Sequence, residues 1–433
     1  MGVLYGGRIG IAGLGFVVLP LLSHHMPTDQ FGLATTILSL QSLAIVLDLG
    51  LAVLLASELP AMDCATTRRA LVRRSEHQLI ITYLGIAAVA AMLSFGGILP
   101  ASLPMVLMTA VALLVVVWQN IIAVAMIARQ QFFASTVSLF LSLLLRQGAS
   151  LAFVTQYGGT LGAFVAGQVL GAAIILATSR FTFINHGQKD GDMPAVADPK
   201  RERPQTPNVG INVTVMVYTI AGACALQLDK ILLSAMGSPS RTGPYFLASM
   251  VSLVPITFLA TPISQFVQPK LIAALVHGRI DIAGRWIVRL TMAITVLAVV
   301  PGLVLGMLTP WIIPLWLRDP ASRDAVIGYT QVLMPGASLG ALGLVPAIVL
   351  IARRDYPALA TISAVLSIGV LAATALLARG GDIHGICIAY AIYHTLATMC
   401  LWVRTWWVEP AFANAFFIGR RIANHPAPPV DRD

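Results

Sequence analysis

Apolar residues along this chain come in long runs rather than in alternation. A helix of about 20 mainly apolar residues crosses a bilayer. Twelve runs reach that length, over 5–26, 31–58, 78–99, 104–128, 137–156, 160–179, 209–236, 243–268, 286–309, 325–351, 357–378 and 383–407. The pattern predicts an all-α, polytopic integral membrane protein of about twelve transmembrane helices. The first run has Arg8 as its only early base and no small-residue cleavage site after it, so it reads as a spanning helix rather than a leader.

The polar connections carry the topology. Arg68, Arg69, Arg73, Arg74, Arg129, Arg180, Lys189, Lys200, Arg201, Arg203, Lys270, Arg279, Arg285, Arg353 and Arg354 fall on one side of the alternating runs. Only Arg241, Arg318, Arg323 and Arg379 fall on the other. Fifteen bases against four predicts that the first side is cytoplasmic, with both termini there. One connection, INHGQKDGDMPAVADPKRERPQTPN at 184–208, is long, Pro-rich and charged. It reads as a cytoplasmic linker. The expected organisation is therefore a six-helix bundle over 1–183, the linker 184–208, a second six-helix bundle over 209–407 and a cytoplasmic tail over 408–433. QFGLATTILSL (30–40) aligns with PYFLASMVSL (244–253), pairing Phe31 with Tyr245, Leu33 with Leu247 and Ala34 with Ala248. Two repeats flanking a mid-membrane site are a known transporter plan.

Composition agrees. The chain is 58% hydrophobic and 10% charged, with a mean hydropathy of +0.85, where a soluble domain is about 25% charged. The net charge of +9 is dispersed between apolar runs rather than gathered in a patch, which excludes nucleic acid as a partner. Cys64, Cys224, Cys387 and Cys400 have neither disulfide-framework nor metal-ligand spacing. No catalytic motif or nucleotide loop occurs, so no enzyme activity and no cofactor are expected. GIAGLG at 10–15 lies in an apolar helix and reads as small-residue helix packing.

Charges at membrane depth are the candidate chemistry, because they are expensive there and face a cavity or a partner. Arg146 stands mid-span in SLLLRQGASLAF. It cannot lose its proton, and its options are a water-filled cavity, a buried carboxylate or an anionic ligand. Gln147 points about 100° away on a helix. Asp48 in IVLDLGLAVLL is open to pairing with a base, carrying a coupling proton or binding a cation. Asp229 and Lys230 are adjacent in LQLDKILLSAM, so on a helix they are expected to diverge rather than pair. Arg8 is either a positive-inside anchor or a first contact for an anionic head group. His24 and His25 read as interfacial. His394 is a core histidine or a proton-responsive gate. Pro255, Pro262 and Pro269 recur every seven residues, and with Pro20, Pro301 and Pro346 they predict bent spans.

Two stretches carry a resemblance, GRIGIAGLGFVVLPLLSHHMPTDQFGLATTILSLQSLAIVLDLGL and QLDKILLSAMGSPSRTGPYFLASMVSLV. In them the first helix, the FG start, the LDLGL segment, the LDK helix and the G-x-Y turn resemble polysaccharide flippases of the Wzx type. That superfamily includes multidrug and toxic compound exporters and the lipid II flippase, which has two further helices. The resemblance implies a two-lobed bundle working by alternating access. Its implied cargo is an undecaprenyl-pyrophosphate-linked oligosaccharide for O-antigen, capsule or exopolysaccharide, and its implied location is the bacterial inner membrane. Arg8 matches a basic position of the family's first helix, and Asp229 and Lys230 match its DK pair. No family motif covers Arg146.

The resulting expectations are substrate contacts at Arg8, Arg146 and Lys230, and proton or sodium coupling at Asp48, Asp229 and His394. The partners would be the lipid-linked oligosaccharide, membrane lipids, and a polysaccharide polymerase with glycosyltransferases. An ion-coupled drug or metabolite antiporter of the same fold is the first rival, kept alive by the embedded carboxylates. A membrane polysaccharide polymerase is the second, and it would need larger outer loops.

Overall fold

The computed structural model describes residues 2–46, Leu51, Leu55 and Leu59, and 65–96, 102–128, 131–189 and 209–409. These residues form helices, numbered here in chain order. The first half holds α1 (Gly2–His25), α2 (Thr28–Val46), α3 (Ala65–Phe95), α4 (Leu103–Ala128), α5 (Phe132–Tyr157) and α6 (Leu161–Lys189). The second half holds α7 (Val209–Met236), α8 (Pro239–Ser252), α9 (Thr261–Val276), α10 (Ile280–Ile294), α11 (Val300–Trp316), α12 (Pro320–Gly340), α13 (Leu344–Ala352), α14 (Tyr356–Gly380) and α15 (Ile383–Val408). Among the described residues, ten helices are long and apolar enough to span a membrane, and Gly13–His25 is a shorter apolar one. Those ten coincide with the expected spans from the third to the twelfth.

Two boundaries differ from expectation. α3 begins at Ala65, so Arg68, Arg69, Arg73 and Arg74 ride on its first turns rather than in a loop. α6 runs on to Lys189, six residues into the expected linker. At the start of α3, Arg68, Arg69, Ala70, Leu71, Arg73 and Arg74 are good helix formers that carry the helix beyond the apolar segment.

Three of the six prolines adjoin irregular turns, whereas Pro20, Pro262 and Pro269 lie within α-helix. Pro255 opens a π-helical turn, Pro255–Ala260, between α8 and α9. Pro301 follows another, Thr295–Val299, between α10 and α11. Pro346 follows a 3-10 turn, Ala341–Gly343, between α12 and α13. The small-residue reading of GIAGLG holds only in part: a Cβ on Gly10 would stand 3.0 Å from the Phe140 ring, whereas Gly13 and Gly15 have no such neighbour among the described residues.

Buried side chains divide unevenly between the two ends of the bundle. At the Lys/Arg-poor end a single core joins both halves. It takes in Leu22, Phe31 and Ala34 from α1 and α2, Tyr245 and Leu247 from α8, and Met334 from α12. Toward the Lys/Arg-rich end this core splits. One part, with Leu55, Leu79 and Ile121, belongs to the first half. The other, with Leu271, Ile287 and Val349, belongs to the second.

Close packing in the first half depends on Gly167 and Gly171, one turn apart on α6. A Cβ on Gly167 would lie 2.4 Å from Ser150 Cα, and one on Gly171 would lie 2.6 Å from Arg146 Cα. Small residues at this spacing let two membrane helices meet backbone to backbone. Replacing Gly171 by leucine is expected to destabilise the protein by about 1–3 kcal/mol through overpacking. A lowered unfolding temperature in detergent checks this.

Candidate functional site

Arg146 sits where α5 crosses α6, its backbone held by the Gly171 contact. Its side chain turns toward α2, and Nη1 donates to Gln41 Oε1 at 3.2 Å. Its Nε is buried and has no partner, and so is Gln41 Nε2. Among the described residues no carboxylate lies within ion-pair distance of Arg146. A neutral amide satisfies one donor and compensates no charge, so the guanidinium keeps its charge uncompensated and its Nε unpartnered. Gln147 is buried with its Oε1 unpartnered.

Asp229, Lys230 and His394 come together in the second half. They border one cavity of about 20 Å³, room for a single water, together with Tyr390, Ser249 and Ser252. Asp229 and Lys230 are 1% and 4% exposed. Contrary to the expectation that they diverge, Lys230 Nζ stands 3.1 Å from Asp229 Oδ1. The four-carbon lysine stem folds back along α7, where Nζ also donates to Leu226 O. The ammonium contact lacks hydrogen-bond alignment, which leaves Oδ1 with open lone pairs. Tyr245 donates its hydroxyl to Asp229 Oδ2 at 2.8 Å, and Tyr390 donates to Ala225 O at 2.6 Å. The charge is thus balanced inside the second half.

Two of the remaining candidates lie outside these observations. Asp48 falls outside the described residues. Arg8 belongs to α1, but its side chain is outside them too. His24 and His25 are exposed at the end of α1, as expected of interfacial residues, and His25 Nδ1 lies 2.7 Å from Leu21 O.

Sequence reasoning assigned no role to Gln41 or Tyr245. A glutamine in the apolar run SLQSLAIV is the kind of signal that flagged Arg146, and Tyr245 is the tyrosine of the G-x-Y turn.

The two halves meet tightly at the Lys/Arg-poor end. A Cβ on Gly32 of α2 would lie 1.6 Å from Pro239 O, and one on Gly243 of α8 would lie 2.6 Å from the Phe31 ring. The aligned segments around Phe31 and Tyr245 therefore pack against each other. Nearby, Trp316 Nε1 donates to Phe16 O, and the two rings meet at a tilt of 44° with centroids 5.6 Å apart.

Solved structures of low sequence identity share the fold. Lipid II flippase MurJ, in an inward closed conformation, superposes with a TM-score of 0.71 at 10% identity, over 99% of this chain and 94% of that one. An inward-facing multidrug resistance MATE family transporter of the MOP superfamily gives 0.64 at 11% identity, over 99% and 96%. A MOP superfamily transporter from Pyrococcus furiosus, described by a reversed polarity of its binding pocket, gives 0.57 at 11% identity, over 98% and 95%. These relatives in fold are transporters and a flippase rather than enzymes. No curated protein matched the chain by sequence. The family model for polysaccharide biosynthesis proteins matches residues 1–272. With its apolar spans and its transporter architecture, this chain is a multi-pass membrane protein that belongs to the polysaccharide biosynthesis protein family.

Proposed function

We propose that the protein is a flippase that moves an undecaprenyl-pyrophosphate-linked oligosaccharide across a bacterial inner membrane, for O-antigen, capsule or exopolysaccharide synthesis. The observation that carries this reading is Arg146, a membrane-embedded guanidinium met by an amide and by no described carboxylate. Arginine's planar fork matches the oxygens of a diphosphate. Several moderate bases suit a cargo that must be released, and Arg8 and Lys230 are the other two proposed contacts. Lys230 would reach the cargo only by leaving Asp229.

The two halves, 1–183 and 209–407, act as rocking bodies tied by the linker 184–208, with the tail 408–433 and both termini cytoplasmic. The shared core at the Lys/Arg-poor end and the split cores at the other support a state open toward the cytoplasm. Glycosyltransferases supply the cargo and a polymerase consumes it.

Coupling is assigned to Asp48, Asp229 and His394, and around Asp229 a proton suits the site better than sodium. A metal cation needs several oxygen ligands, and here a lysine ammonium already stands at Oδ1 beside a cavity that holds one water. The same pairing weakens the antiporter rival, since the one described intramembrane carboxylate of the pair faces its own lysine rather than an open cationic pocket.

The test is leaflet-resolved accumulation of the lipid-linked glycan in a deletion strain. Wild type relieves inner-leaflet accumulation, whereas Arg146→Ala, made and inserted normally, leaves it. Full relief by Arg146→Ala would remove the role given to this guanidinium, and no accumulation on deletion would remove the flippase reading itself.

A further inference from the structure

At the Lys/Arg-poor end, where the halves are joined, a cleft of about 820 Å³ opens between the end of α1 and the α11–α12 turn. Ligand pockets are commonly of about 300–1,000 Å³. One end of the cleft is polar, with His24, His25, Arg318 and Ser322. The other is apolar, with Val17, Leu21 and Leu315. Leu315 is 90% exposed and Val17 60%, and Trp311, a turn before Leu315 on α11, is 67% exposed. On a membrane protein such side chains face hydrocarbon, so the apolar end is a lateral mouth toward lipid.

Arg318 is one of the four bases predicted for the outer side. Arg323 pairs with Asp324 at 3.2 Å, and Arg241 donates to Gly381 O at 2.7 Å. Arg318 has no ion pair or hydrogen bond among the described residues and is the base that lines this cleft. The carboxylate in the cleft, Asp319, caps α12 by accepting from Ser322 N at 2.9 Å. His25 donates from Nδ1 to Leu21 O, which leaves Nε2 facing the cleft as an acceptor. The floor is the Trp316–Phe16 contact that ties the halves together.

A cation at one end of a cleft whose other end opens into lipid fits an amphipathic anion. We propose that this cleft is an outer-leaflet holding site for the terminal phosphate head of a polyprenyl lipid. Arg318 takes the phosphate with His24 beside it, His25 Nε2 accepts from a protonated phosphate oxygen, and the tail leaves past Val17, Leu21 and Leu315. The lipid class rests on the flippase reading. The site itself is separate from Arg146, which stands in the middle of α5.

The test uses the full chain, purified into nanodiscs of phosphatidylcholine, with polyprenyl monophosphate as the probe. Binding is expected for the wild type and for Arg323→Gln, whose base lies outside the cleft. Arg318→Gln should weaken it about tenfold or more, as loss of a charged hydrogen bond does, and Arg318→Lys should recover much of it. The matching prenol, inorganic phosphate and phosphatidylglycerol should each bind far more weakly. Unchanged affinity in Arg318→Gln overturns the site. Equal binding of inorganic phosphate, or of phosphatidylglycerol, overturns the polyprenyl assignment. A protein that binds the probe through Arg318 yet leaves glycan transport unaffected on deletion keeps the site and loses the flippase reading. A protein that flips glycan while its probe binding ignores Arg318 does the reverse.

Discussion

Asp229→Ala is expected to destabilise the protein by about 3–5 kcal/mol, because it strands the Lys230 ammonium in the core of the second half without its counter-ion. The charge has nowhere to go: Lys230 is 4% exposed, and its remaining partner is the carbonyl of Leu226. Tyr245, itself fully buried, loses its acceptor in the same step. The double variant Asp229→Leu with Lys230→Met should regain most of the loss, since apolar replacement of a whole buried pair is often neutral or stabilising. Unfolding temperature in detergent, read across the two singles and the double, checks this. If Asp229→Ala unfolds as the wild type does, the pair is not the internal charge balance described here. The double variant also separates function from folding: a stable protein that no longer transports would give the pair a role in transport beyond its role in stability.

The second large effect is expected at the junction between the halves. Any side chain at Gly32 collides with Pro239 O, a backbone atom that cannot rotate away. Gly32→Val should therefore disfavour the joined state by about 1–3 kcal/mol, a shift of roughly 5- to 150-fold in a two-state equilibrium. Thr35, buried one turn further along α2, reports it. A cysteine placed at Thr35 should be protected from a membrane-impermeant maleimide added at the Lys/Arg-poor face in the parent protein, and labelled faster by that factor with Gly32→Val. Equal labelling in both would mean that this contact does not govern access from the Lys/Arg-poor face.

Much of the fold was legible because a bilayer demands long apolar runs and punishes any break in them. The spans from the third to the twelfth follow directly from that rule. The site was legible in its residues and less so in its pairings. Depth flagged Arg146, Asp229, Lys230 and His394, with the DK resemblance adding to Asp229 and Lys230, and three of these four border one cavity. The Asp229–Lys230 contact was missed because helix geometry separates neighbouring Cβ atoms by about 100°. That rule treats side chains as short, and lysine is long enough to defeat it. Gln41 and Tyr245 were missed for another reason. A neutral polar residue in an apolar run costs far less than a charge, so it draws notice only once its partner is located. The alignment of Phe31 with Tyr245 acquired physical meaning in the same way: both segments are buried against each other at the junction.

The two π turns and the 3-10 turn lie against one another in the second half, with Gly302 of α11 wedged between Pro255 and Ser338. Three neighbouring rods that each lose regular hydrogen bonding at one level have low bending stiffness at that level and ordinary stiffness above and below it. The second half is therefore mechanically two stacked segments with a compliant waist, so its Lys/Arg-rich part can tilt while the joined end holds still.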